Sequence, residues 1–172
     1  MTHKIILIED QKKDAEKILG CLNELAVEHK DRGDKFQFEH LKGKIEDTYE
    51  GEEYLHYDED VIKEIEKKYS ETDHNEIKMG ILLDVMLTRK DLESNLSSYY
   101  PQVELAKKIY FKFKNQMPVY IITSTPVFAT QSDVIMGVDL SEQYIAKNAL
   151  LKYKLEDNIN NMFEYYRNFV EK

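Results

Sequence analysis

Three continuous apolar runs of strand length constrain this chain more than anything else in it: KIILI at residues 4–8, ILL at residues 81–83 and VYII at residues 119–122. A run with no polar face must be buried on both sides, which a strand achieves in a parallel sheet covered by helices. The intervening stretches change to helical spacing. Ala15, Ile18, Leu19, Leu22, Leu25 and Ala26 share one face over residues 14–29, and Val103, Ala106, Ile109, Tyr110 and Phe113 do so after Pro101, a residue suited to a first helical turn. A weaker alternation at residues 35–41 predicts a second strand near an edge, and residues 144–146 predict a short last one. Leu155, Ile159, Met162, Phe163, Tyr166, Phe169 and Val170 form a closing helical stripe, while residues 132–136 carry only a poor helix signal. Strands alternating with helices predict an α/β fold with a parallel sheet.

At 172 residues the chain is expected to be a single domain with a core of its own. No internal repeat or low-complexity linker divides it. The least regular part is residues 42–78, rich in Glu, Asp, Lys and Tyr, where Val61, Ile65 and Tyr69 mark one helix. This segment is expected to be an ordered addition, either a longer second helix or a docking surface, with an acidic mobile loop as the alternative. The net charge of -9 argues against nucleic acid as a partner, because a basic surplus is what releases counterions from a phosphate backbone. The single cysteine, Cys21, has no intrachain partner, and no stretch approaches a membrane span, so the expected location is the cytoplasm. His3, His29, His40, His56 and His74 lack metal-ligand spacing and are assigned no chemistry.

Polar residues stand where the apolar runs stop. Glu9 and Asp10 follow KIILI, Asp84 follows MGILL, Thr123 follows VYII, and Lys147 follows YIA. In open parallel sheets ligands bind beyond the carboxyl ends of the strands, so these distant residues are expected to meet. Their chemistry is complementary. A carboxylate such as Asp84 can accept a phosphoryl group as an acyl phosphate. Attack of one anion on another requires neutralisation, which Mg²⁺ held by Glu9 and Asp10 would supply. Lys147 would face the developing charge, Thr123 would donate a hydroxyl, and the small Ser124 would leave room. Taken one at a time these residues have plainer readings: a helix cap for the acidic pair, a turn for Thr123, a surface lysine for Lys147. Their joint occurrence, in order and at strand ends, carries the functional reading.

The segments IILIEDQ, ILLDVML, PVYIITS and YIAKN resemble the receiver domain of two-component response regulators. The resemblance implies a flavodoxin-like, doubly wound five-stranded parallel sheet with helices on both faces, enlarged between its second and third strands. It implies phosphorylation at Asp84, Mg²⁺ held by Glu9, Asp10, Asp84 and the backbone carbonyl of Met86, and Thr123 and Lys147 in contact with the phosphoryl group. Tyr144 would be the aromatic that changes rotamer on activation. It also implies a sensor histidine kinase or phosphotransfer protein upstream and a protein target downstream, with no enzymatic activity beyond the domain's own phosphorylation and dephosphorylation. The chain ends with the last helix of such a domain, so the signal is expected to leave through a partner, docked on the face formed by the segment after Thr123, the Tyr144 strand and the final helix. A homodimer through that face is compatible with the resemblance.

Two departures stand out. Thr88 occupies a place commonly taken by Pro, in a segment LTRKDLESN without Gly, and Asn148 replaces the Pro that usually follows the lysine. Met86 and Thr125 occupy positions that influence access of hydrolytic water, and the apolar Met86 predicts slow self-dephosphorylation. Met86 also disfavours an aspartate-nucleophile phosphatase of the haloacid dehalogenase type, which needs a second Asp there as general acid and base. A pseudo-receiver, keeping the fold as a constitutive protein-interaction module, is the other alternative.

Overall fold

Strand β1 (Thr2–Ile8) is the hub of a five-stranded sheet, and its burial explains its composition. A computed structural model describes every residue except 29–32, 50, 88–99, 126 and 154–155. Ile5 and Leu7 point to one face of the sheet and Ile6 and Ile8 to the other, and all four are inaccessible to solvent or nearly so. The same two-residue period divides β5 (Ile77–Leu83) and β6 (Val119–Thr123): Ile81, Leu83, Val119 and Ile121 face one core, Leu82, Tyr120 and Ile122 the other.

The first core is covered by α2 (Asp60–Ser70), α3 (Tyr100–Phe113) and α4 (Phe128–Met136). The second is covered by α1 (Lys12–Glu28) and α5 (Glu156–Asn168). Each helix turns a narrow apolar stripe inward. On α5 it consists of Ile159, Met162, Phe163 and Tyr166, at the spacing of successive helical turns. A fully buried side chain of this kind contributes about 1.5–3 kcal/mol of transfer free energy, so the stripes, rather than helix propensity, hold the layers together.

With β2 (Lys35–His40) and β7 (Tyr144–Ala146), the sheet has the order β2-β1-β5-β6-β7, and every neighbouring pair is parallel. The expected edge position of the second strand is observed. The chain winds from β1 to β2 on one side and then crosses to β5 on the other. That reversal puts the topological switch point between β1 and β5, and it is beyond the carboxyl ends of the strands at such a point that open α/β sheets bind ligands.

The expectations for residues 42–78 need revision. They hold the predicted helix as α2, but also a hairpin of β3 (Lys44–Tyr49) and β4 (Glu52–His56), antiparallel and separate from the main sheet. Gly51 adopts φ 80° in its turn, a conformation open to glycine at little cost. The hairpin was hidden because Ile45 and Leu55 are the only aliphatic residues of its two strands, KIEDTY and EEYLH, and Leu55 is buried. Other corrections are local. α1 begins two residues before Asp14, and α4 begins at Phe128, where that wholly buried ring anchors it; the Ser132 hydroxyl accepts the Leu140 amide at 2.9 Å, and Gly137 closes the helix at φ 75°. Thr88 and Leu155 lie outside the described residues. Among the described residues, no helix is long and apolar enough to cross a membrane.

Candidate functional site

Strand register brings the polar residues together. Ile8 pairs with Leu83, so Glu9 and Asp84 are the next residues on neighbouring strands, and the Asp84 amide donates to the Ile8 carbonyl at 2.9 Å. On the far side Thr123 pairs with Ala146, which places Lys147 one step beyond it. Because the strands are parallel, all their carboxyl ends meet at one edge, and there Glu9, Asp10, Asp84, Thr123 and Lys147 are all buried.

Carboxylate oxygens of Glu9, Asp10 and Asp84 lie within 4.8 Å of one another. Lys147 Nζ sits among them, 2.8 Å from Glu9 Oε2 and 3.1 Å from Asp84 Oδ2, with Asp14 Oδ2 at 3.6 Å. One ammonium thus pairs with Glu9 and Asp84, while Asp10 adds a third buried carboxylate to the cluster, and the excess of negative charge bears on Glu9. Burial raises the Glu9 pKa well above its ordinary value, and the repulsion of Asp84 and Asp10 outweighs help from Lys147. For Lys147 burial acts to lower the pKa, but attraction to Asp84 and Glu9 prevails and the net shift is upward, so it stays charged.

The remaining oxygens are only partly satisfied. Glu9 Oε1 accepts the Gln11 amide at 3.0 Å, whereas Glu9 Oε2, despite its ion pair, receives no well-directed hydrogen bond among the described residues. Asp84 Oδ1 is 3.4 Å from the Met86 amide. Hard oxygen donors in surplus of negative charge, one of them without a directed partner, suit Mg²⁺ or a similar divalent cation. The donor set therefore fits the ion expected from the sequence.

Two expected site residues stand apart from this ion-paired group. The Thr123 hydroxyl donates to Thr125 Oγ1 at 3.1 Å and accepts the Thr125 amide at 3.2 Å. The half-buried Tyr144 ring packs on Phe128, with centroids 5.2 Å apart. Ser124 is exposed, and the half-buried Met86 side chain packs on the core below β5. Lys147 reaches its carboxylates with Asn148 beside it, in a backbone without cis peptide bonds among the described residues.

The sequence reading missed three contributors. Asp14 adds a fourth carboxylate at the rim, and its place in the first turn of α1 was the available signal. His40 and Tyr57 lie beneath the acidic loop: His40 Nε2 is 3.0 Å from the Glu9 carbonyl and the Tyr57 hydroxyl 3.2 Å from it. His40, to which no chemistry was assigned, is thus a buttress of the site. Nothing in residue spacing announces it, because the contact depends on β2 lying beside β1. Comparisons with protein-family models, with curated proteins and with solved structures found no match, so the site is interpreted from its own geometry.

Proposed function

We propose that this protein is a receiver-type phosphorylation switch on a flavodoxin-like, doubly wound fold, taking a phosphoryl group on Asp84 in a Mg²⁺-dependent reaction. The observation that carries this reading is the buried set of Glu9, Asp10, Asp84 and Lys147 at the carboxyl ends of the strands, beside the switch point between β1 and β5. Mg²⁺, held by Glu9, Asp10, Asp84 and the Met86 carbonyl, would neutralise the anionic reactants. An Asp84 carboxylate oxygen attacks the phosphorus of a phosphohistidine or of a small acyl phosphate. The new P–O bond forms as the bond to the leaving group breaks, and the imidazole or carboxylate departs with that electron pair. Lys147, 3.1 Å from Asp84, is near enough to exchange its carboxylate partners for phosphoryl oxygens. Thr123 would give up Thr125 for the same group, drawing the start of α4 inward and changing the Phe128–Tyr144 packing that a partner protein reads. The upstream partner in this reading is a sensor histidine kinase or phosphotransfer protein.

One observation favours the second reading, a constitutive interaction module. Lys147 already bridges Glu9 and Asp84, and Thr123 is already bonded, so the site can persist as a structural ion-pair cluster. Incubation with acetyl phosphate and Mg²⁺, followed by intact mass measurement, separates the two. The switch predicts a one-phosphoryl adduct that requires Mg²⁺ and is absent from Asp84→Asn. An unmodified wild type that also ignores beryllofluoride would leave the interaction module.

A further inference from the structure

The hairpin β3–β4 is built onto the acidic loop itself. The Leu55 amide donates to the Asp10 carbonyl at 2.6 Å, and Gln11 and Tyr54 form an isolated antiparallel bridge. Two ion pairs tie the same strand to the start of α1: Lys12 to Glu53 at 2.7 Å and Lys13 to Glu52 at 3.2 Å. Just beyond β4, the buried Tyr57 reaches the Glu9 and Leu41 carbonyls. The Tyr57 hydroxyl can donate to either of these carbonyls, so it ties the end of β2 to the acidic loop. His40 Nε2 lies 3.0 Å from the Glu9 carbonyl and 3.1 Å from the Tyr57 oxygen, closing a three-way contact around that carbonyl. The backbone carbonyls of both Glu9 and Asp10 are therefore held from outside β1, one by the Tyr57–His40 pair and the other by the hairpin.

Carboxylates that bind a cation depend on whatever fixes their backbone, and loss of such support commonly weakens metal affinity by about 10–100-fold. From this we infer that the β3–β4 hairpin, with Tyr57 at its base, is a positioning element that holds Glu9 and Asp10 in cation-binding geometry, so that hairpin docking and Mg²⁺ binding are coupled. The inference rests on the proposed Mg²⁺ site. Coupling is reciprocal: if docking strengthens Mg²⁺ binding by some factor, Mg²⁺ strengthens docking by the same factor.

The test uses charge reversal whose two effects have opposite signs. K12E/K13E repels Glu52 and Glu53 and undocks the hairpin, yet it adds negative charge near the site. A purely electrostatic role for this region predicts tighter Mg²⁺ binding, whereas positioning predicts weaker binding, by about tenfold. Combining it with E52K/E53K restores attraction at the original net charge and should restore affinity. Tyr57→Phe, which leaves every charge in place, should weaken binding in the same direction. Mg²⁺ affinity is read by calorimetric titration of the full chain, and hydrogen exchange at the Leu55 amide reports docking. Saturating Mg²⁺ should slow that exchange in the wild type and not in Asp84→Asn. If the wild type binds Mg²⁺ through Asp84 while K12E/K13E and Tyr57→Phe bind it equally well, the positioning role is overturned and the site stands. A wild type that binds no Mg²⁺ overturns both.

Discussion

Glu9 is a residue unfavourable to the fold that stands at the centre of the proposed cation site. Its carboxylate is wholly buried, and its pKa is raised well above the ordinary 4.5 by burial and by Asp84. From about pH 4.5 upward the folded chain therefore keeps a proton that the unfolded chain has released. Stability falls as pH rises through that window and towards the folded pKa. Without divalent cations, Glu9→Gln should flatten this slope and raise Tm at neutral pH, by about 2–4 °C for each kcal/mol recovered. Thermal unfolding followed by circular dichroism against pH checks both, and a variant less stable than wild type at pH 7 would refute the argument. Met86 carries a second prediction at this scale. Its apolar side chain packs on the core and offers no group to orient water, so the Asp84 acyl phosphate should outlast seconds in the purified protein. A timed loss of the mass adduct measures it. Glu9, Asp10, Asp84 and Lys147 were legible in the sequence because each follows an apolar run. Asp14 was signalled only by its place at the start of a helix, and His40 and Tyr57 by nothing local, since their roles depend on neighbours distant in the chain.

Among the elements, the clearest dependence is between β5 and α5. A Cβ at Gly80 would meet Ile5 Cδ1 and the Tyr166 ring at 2.9 Å, and that ring is fixed by its hydroxyl, which donates to the Ile81 carbonyl at 2.8 Å. The isoleucine tip can yield, but the enclosed tyrosine cannot. Gly80→Ala should therefore cost about 1–3 kcal/mol through overpacking, measurable by urea denaturation, and an unchanged midpoint would show that α5 moves aside freely. The strands of the main sheet could be read from their composition because both faces are buried. The hairpin could not. It is stabilised by contacts with the Asp10 loop and α1, and its two strands carry one aliphatic residue each, so no apolar alternation betrays it.

For the whole molecule, the strand order β2-β1-β5-β6-β7 sets the position of the site, and the site feeds back on stability. A cation that binds only the folded chain stabilises it by mass action, about 2.7 kcal/mol at a hundredfold excess over Kd. Mg²⁺ should accordingly raise Tm by about 5–10 °C at that excess, with no rise in Asp84→Asn; equal shifts in both proteins would place the cation elsewhere. By itself the sequence determined the secondary structure of the sheet and the chemical character of its strand ends, because burial on two faces and helical periodicity are local patterns. Only the tertiary structure decided which carboxylates share Lys147 and that a hairpin braces the acidic loop. Those relations arise from strand register and from packing between segments dozens of residues apart, which no local pattern encodes.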